Sequence, residues 1–108
     1  MQDELRSKVA EIVRTTLEGH FGDKFVFDPI MVVPAVDEYG DGDAWPYLRV
    51  LIVFEGDQRQ LDPHWTSGLI RRIRPKLLEA GIEEFPSPSF IGKSEWPSLE
   101  RTLKRAGP

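Results

Sequence analysis

Arg71, Arg72, Arg74 and Lys76 fall in a single six-residue stretch. On a helix whose other positions carry Trp65, Leu69, Ile73 and Leu77, these cations point to solvent and can meet phosphates or the acidic face of a partner. Any amphipathic helix of a soluble domain also needs charge on its outer side, and a formal net charge of −4 works against attraction of nucleic acid by the surface as a whole. The run is therefore a candidate binding surface, with nucleic acid as the alternative partner class. Two tryptophans join it. Trp45, in Trp45-Pro46-Tyr47, and Trp96, in Trp96-Pro97, both stand near turns and fit no clean core parity. Exposed tryptophan is enriched at interfaces, so each is a candidate docking residue; otherwise each packs over a core edge.

Catalytic chemistry finds less support. His20 and His64 are the two histidines, and Ser67 lies three residues after His64, a spacing that lets a base meet a hydroxyl across one helical turn. No oxyanion donor accompanies them. Asp37, Glu38, Asp41 and Asp43 could offer oxygens to a cation, but they lack the alternation and the distant Glu of a calcium loop. Asp and Gly are also what a wide hairpin turn uses, so a solvated turn is expected. Gly19-His20-Phe21-Gly22 has a G-x-x-G spacing that can clamp a nucleic-acid backbone, yet it joins a helix to a strand and is not basic. Neither a phosphate loop nor a dinucleotide fingerprint is present. No catalytic residue, metal ligand or cofactor is assigned.

The chain has 108 residues, enough for one domain (1–108) with a real core. With 40% apolar and 30% charged residues it has the composition of a soluble globular protein, and no run is long enough to span a bilayer. The start Met1-Gln2-Asp3-Glu4-Leu5 is acidic where a secretory signal is basic and then apolar. Cysteine is absent, which fits a reducing compartment and removes thiolate chemistry. A cytoplasmic location is expected.

The elements that must position these residues follow from periodicity. Leu5, Val9, Ile12, Val13, Thr16 and Leu17 recur at helical spacing, and Gly19 is expected to end that helix. Phe25 to Val36 and Tyr47 to Phe54 alternate as the two arms of a hairpin. In the first arm, Phe25, Phe27, Met31 and Val33 share one parity and Val26, Ile30, Val32 and Val36 the other; Pro29 and Pro34 make it an edge or bulged strand. The second arm, apolar on both faces, reads as central. Asp62-Pro63 opens a second helix, in which Pro75 predicts a kink or break near Arg74. Pro88 to Ile91 reads as a short third strand, and a last helix begins near Ser94. The expected fold is an α+β two-layer sandwich of order α-β-β-α-β-α, with a small, mainly antiparallel sheet and two main helices on one face. The expected function is a non-catalytic interaction or accessory domain whose partner, another protein or a second copy, docks on the Pro-interrupted strand Phe25 to Val36 or on the Trp96 region.

Overall fold

Val9, Val13, Leu17 and Phe21 are spaced four apart and all are buried, and that stripe holds the first helix, α1 (Asp3–Phe21), against a sheet. The computed structural model describes the backbone of residues 3–38 and 44–106, and side chains of residues 4–36 and 46–102. α1 continues past Gly19, because Phe21 carries the stripe one step further into the aromatic contacts of Phe25 and Phe27. The left-handed residue is Gly22, at φ 60°.

Strands β1 (Val26–Glu38) and β2 (Ala44–Glu55) form the antiparallel hairpin, and β3 (Phe85–Gly92) adds to β2 in parallel, so β2 is central. The sheet is thus mixed. Between β2 and β3 the chain crosses over through α2 (Pro63–Thr66) and α3 (Leu69–Glu79), and α4 (Trp96–Ala106) closes the fold.

A bulge corrects the parity expected for β1. Phe27 pairs with Phe54 and Ile30 with Ile52, so three steps on β1 match two on β2. Phe25 and Phe27 therefore share the inner face with Ile30 and Val32, while Met31 and Val33 look outward. The Asp28-Pro29 bond inside the bulge is cis. The bulge's carbonyls find side-chain donors. Arg14 Nε donates to the Phe27 carbonyl at 3.2 Å and Lys93 Nζ to the Asp28 carbonyl at 3.3 Å. Arg14 also pairs with the Asp28 carboxylate at 3.4 Å.

On the inner face, α1 and α3 cover Phe27, Ile30, Val32, Leu48, Val50, Ile52 and Phe54. The outer face of β2 offers Leu51 and Val53, and α4 covers these with Trp96 and Leu99. The two main helices lie on one face as expected, with α4 on the other.

Asp62 caps α2, its carboxylate accepting from the His64 amide at 3.0 Å, with Pro63 at the first helical position. The helical segment breaks at Ser67-Gly68, not at Arg74, and α3 runs through Pro75. Proline inside a helix costs about 3 kcal/mol, but Leu69, Ile73 and Leu77 are fully buried along one side and contribute about 1.5–3 kcal/mol each. Burial wins. Pro75 is exposed, so Pro75→Ala is expected to restore the hydrogen bond to the Arg71 carbonyl and raise unfolding stability by about 1–2 kcal/mol. The midpoint of a urea transition checks this.

Candidate functional site

One concave feature arises from a mismatch of lengths. A 13-residue strand such as β1 spans about 43 Å, whereas the 19 residues of α1 span about 28 Å, so one end of the hairpin outruns its helix. The rows at this end are Pro34 opposite Leu48, where Leu48 is still buried, and Val36 opposite Pro46, where both are exposed. Among the described side chains of α1, the fully buried positions start at Val9 and Leu5 is the one that reaches this end. What results is a half-open cavity of about 420 Å³ lined by Leu5, Pro34, Val36, Pro46, Leu48 and Glu84. Leu5 is 38% exposed and Val36 56%; Phe85, next in chain to Glu84, is 48% exposed. Most exposed leucines and valines stand singly and need no explanation, but two that line the same cavity form a patch.

The sheet edges are less suited to a partner. β1 carries Pro29 and Pro34 and β3 carries Pro86 and Pro88, so all four positions lack an N–H for an added strand. Docking on β1 is thus better served by its side chains at the cavity than by its open edge.

The cations of α3 divide into two sets. Residues advance 100° each, which makes Arg71 and Arg74 neighbours on one side and Arg72 and Lys76 neighbours on another. Lys76 Nζ donates to Thr16 Oγ1 of α1 at 3.1 Å, and the Arg74 guanidinium lies over the Phe85 ring at 5.1 Å. Arg72 donates to the Gly68 carbonyl at 3.1 Å and lies over Trp65 at 4.7 Å. The His20 ring stacks flat on Trp65, centroids 4.2 Å apart. His20 is thus an exposed residue whose ring stacks on a buried tryptophan.

Trp96, a docking candidate on sequence grounds, is 6% exposed and packs with Leu51 and Val53. Its ring is core, because α4 covers the outer face of β2 with it. The side chains of Trp45, Asp37 and Glu38, and the whole of Asp41 and Asp43, lie outside what the structure describes. Ser67 Oγ donates to the His64 backbone carbonyl at 2.9 Å, so the hydroxyl turns to the backbone instead of the imidazole. Among the described residues no cluster of His, Asp or Glu could hold a metal ion, and no helix is long and apolar enough to cross a membrane. Asp57, in the turn after β2, has its carboxyl held below the usual range by the Arg59 side chain and then the Arg59 amide.

No family model, curated protein or solved structure matches the chain. Its residues alone carry the functional reading. Leu5, Pro46, Leu48 and Glu84 were not among the sequence candidates, although one signal was present. The hairpin arms, at a strand's rise per residue, outlast the helical stripe that must cover them.

Proposed function

We propose that this protein is a cytoplasmic, non-catalytic interaction module that receives an apolar segment of a protein partner in the cavity at the hairpin end of the sheet. The observation that supports it is the exposure of Leu5 and Val36 on one cavity whose walls, Glu84 apart, are mostly apolar. Glu84 in the lining and Glu4 beside Leu5 put negative charge at the site, so the segment it suits carries Lys or Arg beside its apolar residues.

Val36→Asp places a charge in the apolar lining and is expected to weaken the partner complex at least tenfold, as loss of a hot-spot residue does. Arg71→Glu/Arg72→Glu leaves that complex unchanged. Size-exclusion light scattering and affinity capture with wild type and both variants make the comparison. A concentration-dependent dimer abolished by Val36→Asp identifies the occupant as a second copy. A strict monomer that retains nothing sensitive to Val36→Asp overturns the proposal.

A further inference from the structure

The break between α2 and α3 brings two guanidinium groups to one glycine. A Cβ added to Gly68 would sit 2.6 Å from Arg72 Nη1 and 3.5 Å from Arg71 Nη2, so both side chains fold back over the space that the missing Cβ leaves. Gly68 has an ordinary negative φ of −96°, and no backbone strain demands glycine there. Its lack of a side chain is what admits the guanidinium groups. Among the described residues neither arginine has a carboxylate partner. Trp65 braces the arrangement from below, with Arg72 over its ring and His20 stacked on it.

These cations also stand where a helix does not favour them. They are the third and fourth residues of α3, which has no acidic residue in its first turn and no side-chain cap. The helix dipole prefers carboxylates at that end, and the partners Arg72 does have, the Gly68 carbonyl at 3.1 Å and the Trp65 ring, carry no formal negative charge. A local rule broken with no compensating carboxylate points to a functional position.

We propose that Arg71 and Arg72, held against Gly68, form an oxyanion site that takes a phosphate ester. The shape of the anion follows from the donors. One planar fork satisfies the two coplanar oxygens of a carboxylate, whereas these forks leave the helix 100° apart and converge, which suits the tetrahedral oxygens of a phosphate. Two sources supply that group, a small phosphorylated molecule and a nucleic-acid backbone. The site is separate from the apolar cavity and does not depend on its role.

The test is NMR titration of the intact protein, following the Gly68 amide and the arginine Nε–Hε signals, with inorganic phosphate, a nucleoside monophosphate, a short single-stranded oligonucleotide and a poly-glutamate peptide. Saturable shifts at Gly68, Arg71 and Arg72 are expected with the phosphate probes. Arg71→Ala and Arg72→Ala should each weaken binding about tenfold. Gly68→Ala should weaken it similarly while thermal unfolding shows the fold retained. Tight oligonucleotide binding that falls steeply with salt supports the site and assigns a nucleic-acid source, and saturation by the monophosphate alone supports it and assigns a small molecule. Preference for poly-glutamate, equal shifts at all surface cations, or no shift at low salt overturns the proposal.

Discussion

Trp96→Ala is expected to lower the free energy of unfolding by about 3–5 kcal/mol, the range for removing a buried aromatic ring. The reason is the thinness of the outer layer. Leu51 and Val53 are as buried as the inner core, yet among the described residues Trp96 is the one buried side chain that α4 places over them, with Leu99 partly covering the rest. The chain sets that ring in place through backbone bonds. The Lys93 amide donates to the Phe54 carbonyl at 2.9 Å, extending the β2–β3 ladder, and the Trp96 amide donates to the Lys93 carbonyl at 3.3 Å. Deleting the ring leaves α4 without an anchor and the outer face of β2 without cover. Urea denaturation gives the stability change, and proteolysis at Arg101, exposed on α4, should speed up in parallel. If Trp96 served only to dock a partner, the variant would stay within about 0.5 kcal/mol of wild type, as surface substitutions do.

Trp96 also shows where the sequence stops being legible. Its neighbours, Pro97 and the residues before it, mark a turn, and tryptophans at such places occur both at interfaces and over core edges. Choosing between them requires knowing that β2 is apolar on both faces and that a single short helix is left to cover the second. The first half of that statement is written plainly in Leu48, Val50, Leu51, Ile52, Val53 and Phe54. The order of elements, the central place of β2 and the Asp62-Pro63 helix start were readable for the same reason, since each depends on neighbours in sequence.

What was not readable depends on tertiary balance. Pro75 reads as a break in any local account, and only the burial of Ile73 and Leu77 on the far side of the helix overrides it. The β1 parity fails at Pro29, where counting alternate residues cannot see an inserted one. The basic run was visible as composition, but the division of Arg72 and Lys76 from Arg71 and Arg74, and the convergence of two of them on Gly68, come from the helix angle and from a break at Ser67-Gly68 where the sequence predicts one near Arg74. The apolar cavity was hidden for a different reason. Its residues come from α1, both hairpin arms and the approach to β3, and no one segment stands out alone.

The second large effect belongs to Gly56, which is expected to resist substitution more than any glycine with open space around it. At φ +149° its backbone lies in a region that side chains rarely adopt, and an added Cβ would stand 2.6 Å from a ring carbon of Phe25 and 2.7 Å from the Lys24 carbonyl oxygen. The ring could move, but the carbonyl belongs to the backbone that leads into β1. Phe25 is itself held, its ring meeting Phe21, Phe27 and Phe54 at 5.2, 5.6 and 6.0 Å. Backbone strain and overpacking each cost about 1–3 kcal/mol, so Gly56→Ala should lose roughly 3–5 kcal/mol. Gly81→Ala separates the two contributions, because Gly81 has φ +81° and nothing within 4 Å of the added Cβ. It should lose only about 1–2 kcal/mol, the cost of the left-handed conformation. Denaturation of the two variants side by side measures the difference. A gap of 2 kcal/mol or so means that the aromatic cluster around Phe25 is a rigid base from which the hairpin extends. Equal losses mean that Phe25 and the turn after β2 can separate, and the base of the hairpin is then as adjustable as its open end.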